Sequence, residues 1–184
     1  VLGTDVVEKD NEVLLAASEV ARGQRIALGN CIDKNYRTIA ASCMANGHVA
    51  IGKTPNDVNL AKQLNILIHE VGLPLDSMLA DPTTGSLGYG MEYTYSVLER
   101  LRIACLTGDE MTSVPLICTV GEESWRQKES RATEGIPSSW GAHEERSVIW
   151  ESLTATALIT AGVHIVVLRH PRTLELIKQV LEKR

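Results

Sequence analysis

The chain has 184 residues, which suits one domain, and its 44% hydrophobic content is enough to fill a sizeable core. A formal charge of −5 and a pI near 5.6, with no Lys/Arg-rich run, argue against nucleic acid or an anionic membrane as principal partner. Proteins and small molecules remain. No basic stretch leads into an apolar run at the start and no apolar run is long enough to span a bilayer, so the sequence reads as cytoplasmic.

Short apolar or β-branched runs alternate with amphipathic stretches along the whole chain. The run VLGT at 1–4 precedes a helix over 10–22, and a strand over 25–32 precedes a helix over 35–46. HVAIGK at 48–53 leads to a helix over 55–71, and SMLADPTT at 77–84 to a helix over 91–106. VPLICTV at 114–120 is followed by helices through Trp125 and over 150–161, then HIVVLRH at 164–170 and a last helix over 174–183. The rhythm amounts to roughly six βα units. In the 55–71 helix, Thr54 is the predicted cap, Pro55 the first helical residue, and Leu60, Leu64, Leu67, Ile68 and Val71 one apolar face ended by Gly72 and Pro74.

Strands such as HIVVLR and PLICTV are apolar almost throughout, as parallel strands covered on both faces require. An open doubly wound sheet and a (β/α)8 barrel both fit, and a complete barrel needs about 250 residues, about two βα units more than this chain offers. VLGT reads as an internal strand, so a barrel domain over 1–184 that is incomplete at its N-terminal side is expected.

Cys31, Cys43, Cys105 and Cys118 are widely spaced, mostly within apolar runs, and read as buried reduced thiols. With neither a Cys-x-x-Cys pair nor a His/Cys set at ligand spacing, the chain is expected to hold no metal of its own.

Parallel α/β folds work at the carboxyl ends of their strands, so the residues following each apolar run are the site candidates. These are Asp5; Asn30 with Asp33 and Asn35; Lys53 with Thr54 and Asn56; Asp81 with Thr83, Thr84 and Gly85; Thr119 with Gly121 and Glu122; and His170. Serine-elbow, phosphate-loop and dinucleotide fingerprints are absent, and amides and hydroxyls predominate, which suits hydrogen bonding to a large polar ligand better than acid/base chemistry. On residues alone, Asp81-Pro82-Thr83-Thr84-Gly85 reads equally as a strand-to-helix turn, and His170 more readily as a histidine satisfied by backbone. Lys53 is balanced between anion pairing and simple solvation. The loosely patterned segment 123–146, with Trp125 and Trp140 and Trp150 just beyond, reads as a functional loop whose tryptophans meet a partner or a flat cofactor, although Trp150 suits a helix core equally. Tyr93 and Tyr95 cannot both face the strand ends if the helix has already begun there.

The block ADPTTGSLGYGMEYTY at 80–95, the following VLERLRIA, and WESLTATALITAGVHIVVLRHP at 150–171 resemble the small subunit of the corrinoid iron–sulfur protein family, also called the delta subunit of acetyl-CoA decarbonylase/synthase complexes. The resemblance extends over nearly the whole chain. It implies a barrel paired with a larger subunit that carries a [4Fe–4S] cluster and mainly holds the corrinoid (cobalamin), the small barrel offering its top face to that cofactor. It further implies methyl transfer from a pterin-dependent methyltransferase to the nickel–iron acetyl-CoA synthase, with this chain as scaffold and cap rather than an independent catalyst. Under that resemblance Asn30, Asn35, Lys53, Asn56, Asp81, Thr83, Thr84, Gly85, Thr119 and His170 are the expected cofactor-facing residues. Two alternatives stay open: a pterin-binding barrel methyltransferase gripping its ligand through Asn30, Asn35, Asn56 and Asp81, and a barrel of purely structural role.

Overall fold

Strand pairing sets the framework, and it is parallel throughout the paired strands. A computed structural model describes residues 1–4, 6–85 and 87–182; Asp5 and Lys183 of the expectations above lie outside them. The helix α1 (Val7–Val20) precedes β1 (Ala27–Cys31), α2 (Tyr36–Asn46) precedes β2 (Val49–Lys53), and α3 (Val58–Glu70) precedes β3 (Met78–Asp81). Then come α4 (Met91–Leu106), β4 (Ile117–Cys118), α5 (Val120–Arg126), the single turn α6 (Lys128–Arg131), α7 (His143–Thr160), β5 (Ile165–Val166) and α8 (Pro171–Glu182).

β1, β2 and β3 form one sheet in that order, with Lys53 opposite Asp81, and β4 pairs with β5. A single bridge, Ala80 to Leu116, joins the two sheets. Residues at the start lie along the outer edge of β1: the Val1 amino group donates to Ala27 O at 2.7 Å and Gly29 N–H donates to Val1 O at 3.0 Å. The architecture is therefore α/β with parallel strands and covering helices, and among the described residues the strands do not close into a barrel. Among the described residues five strands stand where roughly six were expected, because VLGT contributes edge hydrogen bonds without a regular ladder.

The core lies between strands and helices, with Leu28, Ala50, Ala80 and Cys118 from the strands packed against Ile39, Leu64, Ile68, Leu98, Leu101 and Leu158 from the helices. Gly52 permits the close approach of α3, since a β-carbon there would stand 3.3 Å from Ile68 Cδ1. Two local expectations need correction. The 55–71 helix begins at Val58, because Asp57, in extended backbone, accepts Asn59 N–H and Leu60 N–H at 2.7 and 2.9 Å and caps the helix in place of Thr54; Leu60, in its first turn, is 44% exposed. HIVVLR is not covered on both faces either, since Ile165 is 41% exposed.

Three of the cysteines are buried and Cys105 is half-buried, all four with free thiols. Burial pushes the Cys43 thiol up to about 12, so it stays protonated.

Candidate functional site

The block following β3 is built around two hydroxyls. Thr83 N–H donates to Asp81 Oδ1 at 2.9 Å, and the Thr83 hydroxyl donates to Thr54 O at 2.7 Å, tying the ends of β2 and β3 together. Thr83 sits at φ +62°, a backbone region costly for a β-branched residue, so these bonds hold the chain where it would not rest alone. Fully buried Thr94, in the first turn of α4, is the second anchor: its hydroxyl accepts Gly85 N–H and Asn56 Nδ2–H, and donates to Gly85 O, all near 3.0 Å. The 83–85 loop is thereby fixed by side chains on both neighbouring elements.

Several polar atoms in this cluster have no hydrogen-bond partner among the described residues. Thr54 Oγ1, Asn56 Oδ1 and Asp81 Oδ2 are each buried and unpaired, while the Thr84 hydroxyl lies against the Cys118 thiol. Burial raises the Asp81 carboxyl to about 6, opposed by the Thr83 N–H and Lys53 and reinforced by Glu123 and Glu122. Half-buried Glu123 is likewise raised by desolvation, against the pull of Arg126. These are buried polar atoms whose hydrogen-bonding capacity is left over by the fold, and an ionised carboxylate oxygen among them can only accept N–H or O–H donors.

Asn30 lies in β1, and Asn35 stands after the following turn at the start of α2. Both ends of the Asn35 amide serve that turn, Oδ1 accepting Ile32 N–H at 2.8 Å and Nδ2 donating to Asn30 O at 3.2 Å. Thr119 is buried at the start of α5 without a side-chain cap bond. Lys53, Thr54, Asn56, Asp81, Thr83, Thr84 and Gly85 thus share one cluster, with Asn30 on the neighbouring strand β1 and Asn35 at the start of α2.

His170 belongs to a second group. Its ring stacks on Trp125 with centroids 5.9 Å apart, and Arg169 lies 4.9 Å over the same indole. His170 Nδ1 accepts Arg172 N–H at 3.1 Å and Nε2 faces Glu144 at 3.4 Å. The histidine is thus held by a backbone amide, a carboxylate and an aromatic face. Of the other aromatic residues, Tyr89 and Tyr93 project into solvent whereas Tyr95 packs on the core, as helical spacing requires. Trp140 is exposed, and Trp150 is half-buried within 3.5 Å of where a β-carbon on Gly88 would stand.

Two charged residues of α7 escaped sequence reasoning. Arg146, buried, donates to the backbone carbonyls of Glu129, Ala132 and Gly141 and so clasps the 127–142 segment. Glu151, fully buried, accepts hydrogen bonds from Trp125, Arg169, His170 and Thr173. The only hint in the sequence is a lone carboxylate within the apolar run IWESL. Among the described residues no group of three or more His, Cys, Asp or Glu is placed to hold a metal ion, and no helix is long and apolar enough to cross a membrane.

Comparison with known proteins gives consistent relatives. Residues 1–180 match the family model of the CO dehydrogenase/acetyl-CoA synthase delta subunit. The chain is 38% identical to an acetyl-CoA decarbonylase/synthase complex subunit delta of Archaeoglobus fulgidus, over 97% of this chain and 40% of that protein. It is 35% identical to the corresponding subunits of Methanosarcina mazei and Methanopyrus kandleri, over 98% of this chain and 42% and 44% of theirs. The chain therefore spans about two-fifths of the length of the curated relatives it matches. In fold it is similar to the dihydropteroate synthase of Yersinia pestis with a pterine-sulfa conjugate, at TM-score 0.55 and 12% identity, covering 99% of this chain and 78% of that one. The dihydropteroate synthase of Stenotrophomonas maltophilia with active site-bound imidazole gives TM-score 0.58 and 16% identity, over 94% and 66%. Identities this low speak for the fold alone.

Proposed function

Because this chain belongs to the family of CO dehydrogenase/acetyl-CoA synthase delta subunits, we propose that it acts as a corrinoid-facing subunit supporting methyl transfer, paired with a larger subunit that carries a [4Fe–4S] cluster and holds most of the corrinoid. One observation carries the reading: the cluster of buried, unpaired acceptors at the ends of β2 and β3, namely Thr54 Oγ1, Asn56 Oδ1 and Asp81 Oδ2.

The residues present fit such a ligand. A corrin is a large ring fringed by primary amides, whose N–H groups are the donors that an ionised Asp81 and its neighbouring acceptors lack. Asp81, Thr54 and Asn56 would hold that fringe, with Thr83, Gly85 and Thr94 keeping the loop in place, and Trp125, Arg169 and His170 forming a wall beside it. When bound, the corrinoid supplies a cobalt that carries the methyl group. This chain's own contribution is to orient the ring and exclude water; its partners are the large subunit, a pterin-dependent methyltransferase and acetyl-CoA synthase. No residue of the chain is assigned a bond-making role.

The free oxygen of Asp81 also favours a second reading, in which the carboxylate grips the amino-pyrimidine edge of a pterin by paired N–H donation. The two readings separate on one experiment. Thr83→Ala and Asp81→Asn, introduced into the full-length protein, slow methyl transfer while assembly with the large subunit stays intact if the corrinoid reading holds. Tight one-to-one binding of a methyl-pterin by this protein without partners supports the second reading. Unchanged transfer rates in both variants leave a purely structural barrel.

A further inference from the structure

The carboxylate of Glu151 is fully buried yet bears no cationic side-chain partner among its hydrogen bonds; its donors are two successive backbone amides, a hydroxyl and an indole. Arg169 N–H donates to Oε1 at 2.5 Å, and His170 N–H, the Thr173 hydroxyl and Trp125 Nε1–H donate to Oε2 at 3.3, 2.6 and 3.1 Å. The two amides belong to the residues that lead into α8, whose own first amides are engaged elsewhere, Arg172 N–H by His170 Nδ1 and Thr173 N–H by His170 O, so the carboxylate gathers the segment entering the helix. Gly121 leaves room for the arrangement: a β-carbon there would stand 2.5 Å from Arg169 N and 2.8 Å from Glu151 Oε1.

We infer that Glu151 is a positioning residue: by gathering the indole of Trp125, the amides of Arg169 and His170 and the Thr173 hydroxyl, it locks Trp125, Arg169 and His170 into one wall at the strand ends and sets the face that meets a flat, amide-fringed ligand. The groups it holds keep open sides, since Arg169 is exposed and the His170 side chain is 26% exposed. The ligand half of this inference rests on the corrinoid-facing reading; the positioning half does not.

The test uses full-length protein labelled with 5-fluorotryptophan, in which Trp125→Phe identifies the Trp125 fluorine resonance and exposed Trp140 serves as reference. Glu151→Gln keeps the shape but turns an amide NH2 toward groups that are all donors. The Trp125 resonance is expected to shift or broaden while that of Trp140 stays, and affinity for hydroxocobalamin, read from the same resonance in the parent protein, is expected to fall at least fivefold. An unmoved Trp125 resonance with unchanged affinity overturns the inference. If Trp125 moves in Glu151→Gln but never responds to hydroxocobalamin in the parent, positioning stands and the corrinoid-facing reading falls. Thr173→Val removes a single donor and carries the test if Glu151→Gln does not fold: loss of part of the affinity with a shifted Trp125 signal supports the lock, and an unmoved signal overturns it.

Discussion

Removing the charge of Asp81 should stabilise the protein at neutral pH while weakening its site. The side chain is 1% exposed, and burial lifts its carboxyl from 3.8 to about 6. A difference that large is worth about 3 kcal/mol. The folded chain holds this proton more tightly than the unfolded one, so the associated stability is complete below pH 3.8 and is lost as pH rises through about 6. In Asp81→Asn the amide oxygen still accepts Thr83 N–H, but its NH2 takes the place of Oδ2, which has no partner, at a cost of about 1–3 kcal/mol. At pH 7 the variant should therefore be more stable on the order of 1 kcal/mol. At pH 4 it should be the less stable of the two. Urea denaturation of both proteins at intervals from pH 4 to pH 7.5 reads this directly. A stability difference that stays constant over that range would refute the argument, because the protonation of Asp81 could not then be linked to folding.

Three further substitutions probe the scaffold around the site. Arg146→Met leaves the carbonyls of Glu129, Ala132 and Gly141 without their donor; stability should fall by about 3 kcal/mol, and limited proteolysis within 127–142 should quicken. Thr83→Gly should be more stable than Thr83→Ala by about 1 kcal/mol in thermal melts, since both lose the hydroxyl bond to Thr54 but only glycine rests easily at φ +62°. Asp57→Ala should cost about 1 kcal/mol by removing the cap of α3, with no change in ligand affinity.

Much of this architecture could be read from residue pattern, and the exceptions have physical causes. The helix over 91–106 was legible to the residue because Gly90 and Gly108 bracket an uninterrupted helical stretch. The start of α3 was not, because Thr54 and Pro55 offer one helix start while Asp57 offers another, and the Thr54 carbonyl is engaged by Thr83 of the next loop. An apolar run such as HIVVLR announces a strand but not what covers it, and Ile165 meets solvent on the outer side of β5. The strand-end rule picked out Lys53, Thr54, Asn56, Asp81, Thr83 and Thr84, which lie together at the adjoining ends of β2 and β3. It could not find Thr94, Arg146 or Glu151, since each acts by reaching backbone or side chains brought near only by folding. Asn35 shows the converse: a residue type suited to ligand binding whose amide is engaged at both ends by its own turn.

The central claim is that this chain works beside a corrinoid held mainly by a larger partner. Anaerobic affinity isolation from the native source, with intact masses and an optical spectrum of whatever accompanies the chain, tests it most directly. Recovery with a larger subunit showing corrinoid and iron–sulfur absorption is the expected result; a colourless protein recovered without a partner would contradict it.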